Sequence, residues 1–350
     1  MTDEVTHTAS RAPDPSEPLD RPDNGQRTAS AEEISASFPE LFKRITANVA
    51  QVIQGKQDVI EQTLLCLVSE GHLLIEDVPG VGKTSLAKAL ASSLECSFGR
   101  VQFTPDVLPT DVVGVNVWNR NTGSFDFRAG PVFNHIVLGD EINRASPKTQ
   151  AALLEAMEER QVTIDGRTYP LPPPFMVVAT QNPIEHEGTY PLPESQLDRF
   201  LMKISVGYPD AESAVEILDT HGGDSPGLSG VEAVASTADI LGMAAAVKSV
   251  HIAPVLQGYI VQLAEVSRRH SALSLGVSPR ATLNLQRAAR ALAAARGRSY
   301  VVPDDLKLLV KPVLSHRLLL TPETQLQGAT VADVLDDILE TVPVPTGREV

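Results

Sequence analysis

The residues of this 350-residue chain best suited to chemistry are Lys83 and Thr84, set behind two glycines, and the acid pair Asp140-Glu141 further along. The first two lie in Asp77-Val78-Pro79-Gly80-Val81-Gly82-Lys83-Thr84-Ser85, between the apolar run His72-Leu73-Leu74-Ile75-Glu76 and the helix-forming stretch Ser85 to Ser93. In a strand, loop and helix of this kind, glycines let the backbone close around an anion, successive N–H groups point inward, and the helix adds its positive end. Lys83 would reach the β- and γ-phosphates of a nucleotide, and the Thr84 hydroxyl would ligate the Mg²⁺ that bridges them. Val78, Pro79, Gly80, Val81, Gly82 and Ser85 complete the expected cradle. The general loop pattern begins with glycine, where this chain has Asp77; the strand before and helix after support the loop despite that departure.

His135-Ile136-Val137-Leu138-Gly139-Asp140-Glu141 is an apolar run ending in two acids. Ligands of open α/β sheets sit at the carboxyl ends of the strands, so both carboxylates are expected beside the bound phosphates. Asp140, with Thr84, would hold the metal; Glu141 would accept a proton from the attacking water. Another apolar run, Phe175 to Thr180, ends in Gln181-Asn182, where Asn182 would hydrogen-bond the water or the γ-phosphate. Ahead of the first strand, Gln54-Gly55-Lys56 forms a turn that is either a contact for adenine or a plain link between helices. Ser278-Pro279-Arg280 starts a helix, with serine as cap and proline at the first position. Arg280 gains nothing there from the helix dipole, which points to another partner such as a phosphate.

The elements that must position these groups change character along the chain. Residues 1–34 carry Pro13, Pro15, Pro18 and Pro22 among polar residues, with eight acids against three arginines, and read as a disordered tail. Order is expected from near Ile34. Residues 35–207 alternate strands and helices: helices over Phe38 to Val49, Gln57 to Glu70 and Lys148 to Glu159, and strands at His72, Arg100, His135, Phe175 and Leu201. Two hairpins interrupt them, Val115–Trp118 with Ser124–Phe127, and Gln161 to Tyr169 around Asp165-Gly166. Residues 208–350 read as helical throughout: Ala211–Thr220, Ala238–Val250, Ile252–His270, Pro279–Ala295, Pro303–Leu319 and Val331–Glu340. Composition is that of a globular protein, with 42% hydrophobic and 21% charged residues. No run is long enough to span a membrane and no secretory signal is visible, so a cytoplasmic protein is expected. Cys66 and Cys96 lack the spacing of a zinc site. A net charge of −15 argues against broad attraction to nucleic acid or anionic lipid.

The loop, Asp140-Glu141, Asn182, Arg199 and Arg280, in that order and followed by a helical segment, resemble the AAA+ ATPases. Four strings narrow the resemblance to the MoxR family: Asp140-Glu141-Ile142-Asn143-Arg144-Ala145; Leu153-Leu154-Glu155-Ala156-Met157-Glu158-Glu159; Ala179-Thr180-Gln181-Asn182-Pro183; and Leu192-Pro193-Glu194-Ser195-Gln196-Leu197-Asp198-Arg199-Phe200. The resemblance implies an α/β P-loop NTPase fold, a parallel five-stranded sheet between helices followed by an all-α lid, with ATP and Mg²⁺ at their junction and a hexameric ring as the working form. It makes Asn182 the sensor on the sheet, Arg280 the sensor on the lid, and Arg199 the residue that reaches a neighbour's γ-phosphate. Gly114 to Phe127 becomes an insertion in the second helix. Such ATPases act as chaperone-like motors on a protein client, often beside a protein with a von Willebrand factor A domain. The alternatives are the ATPase subunit of a magnesium-chelatase-like complex, a nucleic-acid motor, and a nucleotide-gated scaffold, the last at odds with a general base at Glu141.

Overall fold

A computed structural model of the chain describes residues 31–183, 188–212, 215 and 231–345. The expected tail lies outside these as far as residue 30, and helix α1 (Ala31–Ala50) starts a little ahead of Ile34. The expected helix Ala211–Thr220 falls largely outside the described residues.

Five parallel strands, β1 (Leu73–Glu76), β2 (Phe98–Gln102), β5 (Ile136–Asp140), β8 (Met176–Gln181) and β9 (Met202–Ile204), pair in the order β2-β5-β8-β1-β9. The inner strands β1, β5 and β8 are apolar almost without interruption, as strands covered on both faces must be, whereas the edge strands carry Arg100 and Gln102 in β2 and Lys203 in β9. The pleat divides them residue by residue between two cores. Leu73, Ile75, Ile136, Leu138, Met176 and Val178 enter one; Leu74, Val137, Val177 and Ala179 enter the other. On the first face lie α1, α2 (Gln57–Val68) and α3 (Lys83–Ser93). The second face is covered by α4 (Pro109–Val113) and α5 (Pro147–Glu159), through Val112, Leu153, Leu154 and Met157.

Both hairpins form. β3 (Gly114–Asn119) pairs with β4 (Ser124–Ala129), and β6 (Gln161–Ile164) with β7 (Arg167–Pro170). They hold each other: Phe127 stacks on Tyr169 with ring centroids 4.3 Å apart, and the Asn116 amide donates to Asp165 at 2.7 Å. Trp118 and Phe125 pair edge to face at the outer end and stay exposed.

Beyond the sheet come α6 (Glu194–Leu197) in the approach to β9 and then the helices α7 (Thr237–Ser249), α8 (Pro254–Arg269), α9 (Pro279–Ala295), α10 (Pro303–Leu314), α11 (Pro322–Leu326) and α12 (Val331–Thr341). Side-chain caps set several of the starts: Ser236 and Thr330 in capping boxes with Asp239 and Asp333, and Ser278 accepting from the Ala281 N–H. Helices α7 and α9 pack on α1 and α2, so the first core runs without a break from the sheet into the helical segment. The expected helix Pro303–Leu319 stops early. After Leu314 the chain makes a 3-10 turn, Ser315–Arg317, and a two-residue strand, β11 (Leu319–Leu320), that pairs with β10 (Leu273–Leu275). His316 and Arg317 account for the break, because their buried donors are spent on carbonyls of Phe200 and Leu201 next to β9 rather than on solvent. Among the described residues no helix is long and apolar enough to cross a membrane.

Burial separates residues whose loss would be felt from those whose loss would not. Ile75→Ala, at a fully buried site in the first core, should lower unfolding stability by about 2–5 kcal/mol. Leu326→Ala, 89% exposed, should stay within about 0.5 kcal/mol of the parent. Denaturant titration of both variants checks the contrast.

Candidate functional site

Gly80 and Gly82 take φ of +85° and +91°, a region L side chains rarely enter, and these two residues turn the chain from β1 into α3. Gly82 is the left-handed cap of α3, and Lys83 and Thr84 are the first residues of that helix. The buried Lys83 ammonium donates back to the loop, to the carbonyls of Asp77 at 2.7 Å and Val78 at 3.2 Å.

Asp77 is explained by its contacts. Its carboxylate accepts from the Val78 N–H at 2.8 Å, the Ser205 hydroxyl at 2.8 Å and the Gly207 N–H at 2.6 Å. It therefore pins the start of the loop to the segment that leaves β9. Burial pushes this carboxyl up, but the hydrogen bonds from Gly207, Ser205, Val78 and Val206 outweigh it and hold the pKa below the ordinary value.

A cavity of about 410 Å³ is lined by Pro79, Gly80, Gly82, Lys83, Thr84, Ser85, Arg100, Asp140, Glu141 and Asn182. The structure thus gathers residues from four strand ends and α3 into one place. The acid pair is organised by Thr180, fully buried in β8, whose hydroxyl donates to Asp140 at 2.7 Å and accepts from the Glu141 N–H at 2.9 Å. Glu141 holds φ of +58°, a strained conformation for a side chain of this kind, which turns its carboxylate away from the strand line. The Glu141 carboxylate takes hydrogen bonds from Gln102 at 3.1 Å and Arg144 at 3.2 Å. Arg100 bridges Asp140 at 2.7 Å and Gln102 at 2.7 Å.

A second cavity, about 590 Å³, adjoins the loop and is lined by Ile53, Gly55, Lys56, Val59, Ser205 and Val206 among others. Ile53 reaches within 3.9 Å of where a Cβ on Gly82 would sit. Gln54 leaves its buried Oε1 without a hydrogen-bond partner, and Lys56 donates to the Tyr208 carbonyl at 2.7 Å. Ile53, Val59 and Val206 give this cavity an apolar wall against which a heterocycle could pack, and the glycine-turned loop beside it suits phosphates. Thr84 and Asp140 supply hard oxygen donors of the kind Mg²⁺ takes alongside phosphate.

Arg199 and Arg280 are not in the phosphate cavity. They come together elsewhere, on the Glu158 carboxylate at the end of α5, at 3.3 Å for Arg199 and 2.9 Å for Arg280. The partner that the structure gives Arg280 is Glu158, because α9 packs on α1 and α2 and begins beside the end of α5. Both arginines line a third cavity, about 470 Å³, with Arg160 and Arg287 against only two carboxylates, Glu70 and Glu158. His72 at its base adds no charge: burial, reinforced by Arg160, lowers its pKa to about 3. It bridges instead, between the Met157 carbonyl and the Val177 N–H.

Sequence reasoning missed Thr180, Arg100, Gln102 and Glu158. Thr180 had a signal, a hydroxyl in an otherwise apolar strand two residues before Asn182; the other three had none.

Comparison with known proteins agrees with this geometry. Residues 72–202 match the profile of the ATPase family associated with various cellular activities (AAA), and residues 265–338 match the AAA lid domain. Chaperone MoxR1 of Mycobacterium tuberculosis is 42% identical over 90% of this chain and 85% of its own length. Protein YeaC of Bacillus subtilis, itself uncharacterized, is 45% identical over 88% of the chain and 96% of its own. Protein MoxR of Paracoccus denitrificans is 33% identical over 87% and 96%. A crystal structure from Cytophaga hutchinsonii, of a protein classed as an ATPase, superposes with a TM-score of 0.84 at 39% identity, over 90% of this chain and 98% of that one.

The Asp77 carboxylate makes a prediction about acid. Its pKa is depressed by folding, so its contribution is present above the unfolded pKa and is lost as pH falls through the lower folded value. Asp77→Ala should be less stable than the parent at pH 7, and the gap should close below the ordinary value of 3.8. Melting temperatures of both proteins across the acid range test this.

Proposed function

The chain belongs to the MoxR family of AAA+ ATPases, and from that premise we propose that it binds ATP with Mg²⁺ at the phosphate loop, hydrolyses it within a homo-oligomeric ring, and uses the cycle to remodel a protein client. The observation that carries this reading is the convergence of Lys83, Thr84, Asp140, Glu141 and Asn182 on a single cavity. Lys83 would leave its loop carbonyls to meet the β- and γ-phosphates, which the backbone N–H groups of the loop from Gly80 to Thr84 would also bind. Gln54, Gly55 and Lys56 border the base. Thr84 and Asp140 would hold the Mg²⁺, whose charge would offset that on the phosphate oxygens. Glu141 accepts the proton of the attacking water, oriented by the Thr180 bond to its backbone, and Asn182 hydrogen-bonds the water or the γ-phosphate.

Support for a ring comes from what the phosphate cavity lacks. Arg199 and Arg280 line a separate cavity with an excess of arginines, suited to the phosphates of an adjoining subunit. On this reading each site is shared, the loop and acids coming from one subunit and the arginines from the next. A hexamer and a companion protein with a von Willebrand factor A domain are the assembly we propose on family grounds.

Lys83→Ala should abolish ATP binding by calorimetry. Glu141→Gln should bind ATP and turn over more slowly by about 10²–10⁴-fold, the usual worth of a positioned base; wild-type turnover would put the base elsewhere. A pull-down with this variant in ATP should retain the client. Arg199→Ala should bind ATP nearly normally and hydrolyse it about 10³–10⁵-fold more slowly. Mixed with Lys83→Ala, it should regain partial activity, since such rings contain interfaces with one intact loop and one intact Arg199. No recovery in demonstrably mixed rings would end the shared-site reading.

A further inference from the structure

Asp198 stands immediately before Arg199, and two separate pieces of the helical segment converge on it. Ser278, the cap of α9, donates its hydroxyl to the carboxylate at 3.2 Å and 3.3 Å. Arg317, in the turn after α10, donates Nε to the same carboxylate at 2.7 Å. The remaining guanidinium donors of Arg317 are also committed. Nη2 reaches the carbonyls of Asp198 and Phe200, and Nη1 reaches those of Leu201 and Val313. All five N–H groups of the fork thus have acceptors, and all but one acceptor belong to the segment Asp198–Leu201. His316 adds a hydrogen bond to the Phe200 carbonyl. The Arg317 side chain is 2% exposed, so the arrangement is a buried clamp and not a surface pair.

The clamp's two ends are significant for what is attached to them. Arg280 lies two residues after Ser278, and Arg199 is bonded directly to Asp198. Both arginines then meet on Glu158. One carboxylate joins α9, the turn after α10 and the approach to β9, and the two arginines are carried on segments it joins. We propose that Asp198 is a positioning residue: it locks Arg199 and Arg280 to the helical segment as one unit, so that the lid of one subunit and the phosphate site of the next move together. This rests on the shared-site reading above. Asp198 is not among the residues that line the cavity at the loop of its own chain. Its effect on hydrolysis is exerted on the neighbour.

Asp198→Asn keeps the shape and removes the charge that Arg317 and Ser278 grip. It should bind ATP within about twofold of the parent and leave KM little changed, while kcat falls about 10²-fold, the usual cost of displacing a reacting group by an ångström. The decisive readout is complementation. Asp198→Asn mixed with Lys83→Ala should recover ATPase, because the first keeps an intact loop and the second an intact clamp. Mixed with Arg199→Ala it should not, because both damage the same half of the interface. Ser278→Gly, which removes the hydroxyl at a cap position where glycine is tolerated, should fall in the same complementation group and carries the test if Asp198→Asn melts early. A kcat within about twofold of the parent in a folded Asp198→Asn would overturn the proposal, the expected loss being about 10²-fold. So would failure to complement Lys83→Ala in a preparation where Arg199→Ala succeeds, since Asp198 would then act on its own site. If Arg199→Ala also fails, the fault lies with the shared-site reading, and the clamp falls with it.

Discussion

Everything at the phosphate cavity depends on the register in which β1, β5 and β8 lie side by side. Leu138 stands beside Val178 and Ile75 beside Thr180, so the strands end almost level at the edge where the chemistry is placed. A parallel sheet carries no chemistry of its own, but it fixes the ends of sequence-distant strands within hydrogen-bonding reach. Thr180 exploits that closeness by bonding to Asp140 and Glu141 together. Asp77 does the same at the other border, fastening the loop to the exit from β9. A slip of one residue in β8 would turn Thr180 to the opposite face, and a slip of β5 against it would carry Asp140 out of line with the Thr180 hydroxyl.

Charge is distributed with equal economy. Arg100 faces Asp140, and Arg144 faces Glu141, so the two carboxylates have counter-charges in the free protein. In the third cavity a single carboxylate, Glu158, serves two arginines. These pairs are partly exposed, and pairs of that kind contribute roughly 0–1 kcal/mol. They order the side chains without holding them so firmly that a phosphate could not displace them. The Asp198–Arg317 pair differs in kind. Its arginine is buried and bonded through every donor, and removing one partner would leave the other charge unpaired in the core, an expensive outcome.

What was legible in the sequence was local or periodic. The loop announces itself through glycines and lysine in one short span, and the acid pair through its place at the end of an apolar run. The inner strands follow from continuous apolar runs and the hairpins from turn residues, whereas the edge strand expected from Arg100 to Thr104 lies two residues earlier, at Phe98–Gln102. The meeting of Arg199 and Arg280 was not legible, because it depends on where α9 begins in space relative to α5. Nor was the clamp, whose partners Asp198 and Arg317 lie 119 residues apart. The misjudged end of α10 has the same origin. Helical periodicity continues past Leu314, and only the distant carbonyls of Phe200 and Leu201 explain why the backbone departs from it. Asp77 looked anomalous for the same reason, since its partners Ser205 and Gly207 are drawn in by the sheet.

The contrast between loose and tight ion pairs bears on how a ring would transmit work. If the arginines engage a neighbour's phosphates, they must leave Glu158, and the weak pairs there allow it at little cost. The clamp does not loosen in that exchange, because Asp198 and Arg317 are held by backbone carbonyls as well as by each other. Arg199 and Arg280 can therefore change partners, whereas the segment that carries them stays fixed to α9 and α10. Displacement of the arginines toward or away from a neighbour must then be taken up together by the helical segment and the approach to β9, which the clamp joins. The paired hairpins, joined to each other through Phe127 and Tyr169, stand on the α/β half of the same chain. A pull on the arginines at one interface would thus reach both halves of their own subunit through the clamp, the hairpin pair being carried along with the sheet.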